Sequence, residues 1–207
     1  MPLEKIETTK DRIQALWKVD EDEIVLSALL NPYEQLPESI TNTQKRLESL
    51  AGRVLVKVAL KEWGLPFQGI TKDEFGKPHL TGCDYHVSLS HSFPYVTALI
   101  DKYKIVGIDL EQPKPKLLRI APRILDSIEL QDAGDNLTKH CVYWCAKEAL
   151  IKYYGKKDLF FIKNLKITPF NLSKEGNISG RIIVNDREVT IPLRYIVKEN
   201  FVVVFSQ

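Results

Sequence analysis

One order of sequence patterns occurs twice in this chain, and that repetition limits the fold more than any single motif. In the first half an alternating stretch, Arg12 to Val19, precedes a long helical pattern, Thr43 to Trp63. Paired alternating stretches follow at Tyr85–Ser90 and Tyr95–Ile100, around a loop at Ser92–Pro94. In the second half Lys104–Glu111 reads as a strand, helical patterns follow, and strands are expected over 163–170, 177–184, 188–197 and 201–206. Phe201 to Ser206 matches Tyr95 to Ile100 in pattern and position. The offset of roughly 90–105 residues is too irregular for a solenoid and suits an old duplication. The expected fold class is α+β. Two pseudo-duplicated lobes, 1–102 and 103–207, would each carry a small, mostly antiparallel sheet packed with a long helix. A ligand would then lie in the cleft between them.

The chemistry concentrates in two of these elements. In the strand Val106-Gly-Ile-Asp-Leu-Glu111, alternate residues share a face, so Asp109 and Glu111 point one way with Gly107 beside them. Val106, Ile108 and Leu110 point into the core. A glycine inside a strand marks close approach by a ligand or another backbone. The second element is a helix from about Asn136 to Tyr154, with Asp135 or Asn136 as N-cap and Gly155 as terminator. On it Trp144, Glu148 and Lys152 recur at i, i+4, i+8 and share a face. If that face meets the strand, Asp109, Glu111 and Glu148 form a set of hard oxygen ligands for magnesium, or manganese. Lys152 is then placed to meet a phosphate. Singly, Asp-x-Glu reads as a solvated strand end and Glu-x-x-x-Lys as a surface ion pair. Their order along the chain, with the motifs below, favours phosphate chemistry.

Composition removes other classes. Hydrophobic residues make up 44% and the net charge is +2, so no strong nucleic-acid field is implied. No apolar stretch is long enough to cross a bilayer, and Met-Pro-Leu-Glu-Lys lacks a signal-peptide core, which makes the cytoplasm the expected location. The cysteines, Cys83, Cys141 and Cys145, form no disulfide framework. Cys83-x-x-His86 with Cys141-x-x-x-Cys145 is a weak zinc alternative; the helical pair reads as small hydrophobes. Ser90-His91-Ser92 suggests a serine nucleophile only superficially, because no Gly-x-Ser-x-Gly elbow exists. There is no Walker phosphate loop and no Gly-x-Gly-x-x-Gly.

Other candidates lie in the first half. Gly76-Lys77-Pro78 sits in the polar segment Thr71–Pro78, where a glycine lets a flat ring approach the backbone. Ser90 and His91 leave a strand for a loop and can donate to phosphate oxygens. Lys45, Arg46, Arg53 and Lys57 make a basic cluster, and Arg46 and Arg53 are two turns apart, able to reach one anion. The stretch Asn31–Asn42, with Pro32 and Pro37, is turn-rich. Gln112–Leu118, with Pro113 and Pro115, is read as leaving the sheet edge. Residues 177–207 read as scaffold.

Gly76-Lys77-Pro78, Val87-Ser-Leu-Ser-His-Ser92, Val106-Gly-Ile-Asp-Leu-Glu111 and Trp144-x-x-Lys147-Glu148-x-x-x-Lys152 resemble, in order and spacing, the signatures of the 4′-phosphopantetheinyl transferases, in their two-lobed monomeric branch of the surfactin synthetase activator type. The resemblance implies transfer of the 4′-phosphopantetheine arm of coenzyme A to a serine of an acidic, helical apo carrier protein. Adenosine 3′,5′-bisphosphate would be released, and no nucleic acid or membrane would be involved. It implies that Asp109, Glu111 and Glu148 ligate magnesium and that Gly76, Lys77 and Pro78 frame the adenine. Ser90 and His91 would contact phosphates, and Lys152 would hold the diphosphate and protonate the leaving group. Lys72 stands where relatives carry a basic residue for the nucleotide. Glu148 would act as base directly or through a water on the metal. Relatives bind the 3′-phosphate with basic residues upstream of the first long helix; here Glu34-Gln35-Leu36-Pro37 has none, leaving Lys45, Arg46 or Arg53 as substitutes. A binding module without turnover and a magnesium-dependent nucleotide hydrolase are the competing readings.

Overall fold

A computed structural model describes residues 3–31, 34, 36 and 38–207. Pro32, Pro37 and Gln35 of the turn-rich stretch lie outside the described residues. The chain divides into two compact units, Met1–Ile105 and Val106–Gln207.

The first unit contains β1 (Leu3–Thr8), β2 (Arg12–Lys18), α1 (Glu23–Ala28), α2 (Thr43–Lys61), β3 (Ile70–Lys72), β4 (Pro78–Leu80), β5 (His86–Ser92) and β6 (Tyr95–Asp101). The strands form one antiparallel sheet in the order β1-β2-β6-β5-β4-β3. The alternation in β2 buries Ile13, Ala15 and Trp17 on one face. Helix α2 starts at Asn42, whose side chain accepts from the amide of Lys45. Its buried stripe is Leu50, Ala51, Val54, Leu55, Val56, Ala59 and Leu60, with Glu48 the one charged member. Leu47, Val58 and Trp63 are only partly buried. Gly52 faces β5 and β6: a Cβ there would stand in ordinary contact, 3.8 Å, with both Leu89 and Val96.

The second unit contains β7 (Ile108–Glu111), α3 (Lys116–Ile124), α4 (Ser127–Ala133), α5 (Leu137–Tyr154), α6 (Phe161–Asn164), β8 (Leu165–Ile167), β9 (Glu175–Val184), β10 (Arg187–Val197) and β11 (Val202–Ser206). The sheet order is β7-β11-β10-β9-β8, again antiparallel throughout. Helix α5 is buried along Cys141–Val142–Tyr143, Cys145–Ala146–Lys147 and Ala149–Leu150, leaving Trp144 and Glu148 partly open on one line. Asn136 caps its start through the amide of Lys139, and Gly155 ends it in the left-handed conformation, φ 83°.

Leaving β1 aside, both units place their strands in the order first-fifth-fourth-third-second, with the long helix between the first and second strands. The protein is therefore α+β with two antiparallel sheets, each packed with helices, and the repeated sequence order has a repeated topology behind it.

Several local expectations need correction. Thr71–Pro78 is a hairpin between β3 and β4, not a simple polar loop. Asp73 closes it by accepting from the amides of Phe75 and Lys77, with Gly76 at φ 87°. The expected strand 104–111 is regular only from Ile108. The expected strand 163–170 shrinks to β8, because Phe161–Asn164 is helical. Lys116, placed in a loop, opens α3. Strand β1 and helix α1 were not expected from the sequence.

Candidate active site

Strand β7 and helix α5 meet at Gly107. A Cβ at this residue would stand 2.0 Å from the carbonyl oxygen of Ala149 and 2.7 Å from the amide nitrogen of Tyr153. The close approach that a strand glycine signals is therefore made by the helix backbone. It falls on the turn between Glu148 and Lys152. Hydrogen bonds to Ser206 hold Gly107 there: its amide donates to Oγ at 3.1 Å and its carbonyl accepts from the Ser206 amide at 2.9 Å.

Asp109 lies two residues on, on the same face of the extended chain. Its carboxylate accepts from Lys152 Nζ at 2.7 Å, with Asp109 almost wholly buried. Glu148 carries a pKa pushed up to about 7, first by burial and then by the charge of Asp109, with Lys152 pulling the other way. Asp109, Glu148 and Lys152 are thus one electrostatic group. A buried carboxylate raised by a neighbouring carboxylate is the signature of like charges held close without enough countercharge.

Glu111 belongs to the same strand face but is engaged elsewhere. Its carboxylate accepts from Lys116 Nζ at 2.8 Å and from the Gln112 amide at 2.9 Å. Successive same-face residues in a strand are separated by about 6.6 Å. The strand runs antiparallel to α5, so Glu111 lies toward Cys141, whose thiol donates to the Glu111 carbonyl at 3.5 Å. Among the described residues no group of three His, Cys, Asp or Glu side chains stands ready to hold a metal ion. The donors nevertheless fit one. Asp109 and Glu148 offer hard oxygens, and a divalent cation would relieve the repulsion that raises Glu148.

The cysteines are free thiols. Cys141 and Cys145 are buried in α5, as small hydrophobes would be; Cys145 donates to the Val202 carbonyl across 3.8 Å. Burial drives the Cys145 thiol well above its ordinary range, which removes it as a nucleophile.

Lys147, adjacent to Glu148, is fully buried. Its ammonium donates to Glu129 at 2.6 Å and to the carbonyls of Ile124, Leu165 and Phe161 at 2.8, 3.0 and 3.2 Å. Glu129 also accepts from the Asp126 amide, completing a capping box on α4, and from the amide of Ile167. One buried ion pair therefore ties α3, α4, α5 and β8 together and sets the rotation of α5 that turns Glu148 toward Asp109. Sequence reasoning placed Lys147 in a motif and missed this role. Tyr143 and Leu150, one turn away on either side, put Lys147 on the apolar side, but nothing in the sequence points to its partner.

In the first unit Ser90 and His91 are both inside β5, not beyond it. They leave the strand on opposite faces. His91 and Leu89 face α2, where His91 Nδ1 lies 2.9 Å from Glu48 Oε2, while Ser90 is buried on the other face. Gly76 and Lys77 form the β3–β4 turn and Pro78 opens β4. Burial lowers the pKa of Lys77, with Asp73 opposing. Lys72 is exposed at the end of β3. The basic cluster on α2 is divided among separate partners. Arg46 makes a double contact with Glu23, at 2.9 and 2.6 Å, and donates to the Ile40 carbonyl. Arg53 lies 3.2 Å from Glu34 and donates to Ser49 Oγ, and Lys57 donates to the Leu29 carbonyl. Arg46 and Arg53 thus pair with different carboxylates in place of one shared anion.

Comparison with known proteins bears on the unit that holds Asp109, Glu148 and Lys152. Residues 105–205 match the model of the 4′-phosphopantetheinyl transferase superfamily. The chain is 34% identical over 117 residues, 52% of each sequence, to a 4′-phosphopantetheinyl transferase of Bacillus subtilis. It is 35% identical over 117 residues, again 52% of each, to 4′-phosphopantetheinyl transferase Sfp of Bacillus subtilis strain 168. Over 143 residues, 65% of this chain and 60% of its relative, it is 35% identical to 4′-phosphopantetheinyl transferase psf-1 of Bacillus pumilus. The chain thus spans about half to three-fifths of the length of these relatives. The acidic strand, the Lys152 helix and the matched stretch thus coincide in residues 105–205, which are similar to the 4′-phosphopantetheinyl transferase superfamily.

Proposed function

We propose that this protein transfers the 4′-phosphopantetheine arm of coenzyme A to a serine of an acidic, helical apo carrier protein and releases adenosine 3′,5′-bisphosphate. The reading rests chiefly on the group Asp109–Lys152–Glu148, two carboxylates and an ammonium beside one helix turn.

In the reaction the serine Oγ bonds to the phosphorus that carries the pantetheine. The bridging P–O bond breaks, and the electron pair leaves on the adenosine bisphosphate. Glu148 would accept the serine proton, directly or through a water. Lys152 is already held beside Asp109 and can turn its charge to the leaving phosphate or give it a proton. Asp109, Glu148 and Glu111, once released from Lys116, would hold magnesium, which when bound supplies charge neutralisation at the diphosphate. His91 and Lys77 contact the phosphate and nucleotide ends of coenzyme A in this reading, with Gly76, Pro78, Ser90 and Lys72 lining them. The two topologically equivalent units of one chain support a monomer.

The test is direct. Coenzyme A, magnesium and a panel of apo carriers are incubated with the protein, and the carriers are weighed by mass spectrometry. A carrier gains one phosphopantetheine arm, and chelation of magnesium abolishes the gain. No gain on any carrier, with phosphate released from nucleotides instead, overturns the reading in favour of a hydrolase.

A further inference from the structure

Glu48 is the one charged residue in the buried stripe of α2, and its carboxylate is only 5% exposed. It is fully engaged. Gln44 Nε2 donates to Oε1 at 3.0 Å, the Phe93 amide donates to the same oxygen at 3.3 Å, and His91 Nδ1 lies 2.9 Å from Oε2. Burial works to raise its pKa, but the bonds from His91, Gln44 and Phe93 outweigh burial and leave it lowered, so it is an anion. An anionic carboxylate only accepts hydrogen bonds, so the proton in the short contact must sit on the imidazole. The ring itself is 54% exposed, and its other nitrogen, Nε2, is the one available to a ligand.

We infer that Glu48 is a positioning residue for the proposed transfer, accepting the His91 Nδ1 proton and so aiming Nε2 at a phosphate oxygen of coenzyme A, to which Nε2 donates in the imidazolium form. The inference rests on the transferase reading. A free imidazole in water favours the proton on Nε2, and a ring so protonated could not meet Glu48 with Nδ1. In the paired ring, a second proton taken up at Nε2 gives an imidazolium whose countercharge is already built in, and Nε2–H then donates to the phosphate. Gln44 and the Phe93 amide hold the carboxylate against rotation, so the ring plane is set by α2 and by the β5–β6 turn together.

The experiment has two arms. In the first, the free protein labelled with ¹⁵N-histidine is examined by imidazole NMR at alkaline pH, without coenzyme A. The expected spectrum shows His91 protonated at Nδ1. In Glu48→Met the ring reverts to protonation at Nε2. A wild-type ring protonated at Nε2 overturns the inference, and that measurement requires no variant to fold. In the second arm, coenzyme A affinity is measured by calorimetry for wild type, Glu48→Met, His91→Ala and the double variant. Each single change weakens binding about tenfold, the loss of one charge-assisted hydrogen bond. The double variant is no weaker than His91→Ala alone, because Glu48 acts through the ring. Additive losses mean that Glu48 merely supports the fold and overturn its positioning role. If coenzyme A binds as expected while no carrier is modified, the transferase reading fails. If transfer occurs with the ring in the other tautomer, the inference about Glu48 fails alone.

Discussion

Lys147 and Glu148 are neighbours in sequence and opposites in environment. Lys147 spends its charge inside the fold on Glu129 and three carbonyls, while Glu148 faces the carboxylate of Asp109. Replacing Lys147 by Met leaves Glu129 buried without its countercharge. Urea unfolding is expected to show a loss of about 3–5 kcal/mol, the usual consequence of breaking a buried pair. Gly107→Ala puts a methyl group against the Ala149 carbonyl. The strand must shift, costing about 1–3 kcal/mol of stability as overpacking does, and a thermal melt together with a transfer assay reads both that cost and the displaced Asp109. Asp109→Ala is expected to keep the fold and abolish transfer; magnesium is expected to raise the melting temperature of the wild type and to leave that of Asp109→Ala unchanged. At this scale Asp109, Glu148 and Lys152 were legible in the sequence because local geometry alone aligns them: period two for the strand, i, i+4 for the helix. Glu48 and Lys147 were not, because nothing in a helical pattern says whether a lone charge on the apolar side has a partner.

The helices that carry the chemistry announce themselves through their ends. Asn136 and Gly155 were readable as caps, and the structure uses each as one. Asn136→Ala removes the acceptor for the Lys139 amide and is expected to cost about 1 kcal/mol in chemical unfolding. The short elements were harder. Strands β3 and β4 are three residues each, below the length at which alternation can be counted, and the turn between them depends on the Asp73 side chain replacing backbone partners. Glu111 shows the same limit at a strand end. Its face was predictable from the pleat, but its engagement with Lys116 follows from α3 beginning where prolines suggested a loop.

Across the molecule, the two units repeat one strand order and each closes its own core. Both contain carboxylates that titrate below their ordinary range. Burial would raise Asp101, but the amides of Lys104 and Tyr103 and the Arg12 guanidinium outweigh it. Burial is likewise outweighed at Asp126 by Lys166 and backbone amides, and at Asp132 by Tyr143 and Lys139. A carboxylate with a lowered folded pKa stabilises the protein above its unfolded pKa, and that contribution is lost as pH falls through the folded value. Urea midpoints are therefore expected to drop below about pH 4–5, and Asp101→Asn is expected to flatten that acid limb. The sequence by itself determined the α+β class, the repeated order of elements and the faces on which Asp109, Glu148 and Lys152 emerge, because backbone periodicity and capping are local properties. Only the tertiary structure decided which charges meet: Asp109 with Lys152, Glu111 with Lys116, Lys147 with Glu129, Arg46 with Glu23 and His91 with Glu48. Those pairings depend on which elements pack together, and an ion pair forms between side chains that the fold makes neighbours, however far apart they lie along the chain.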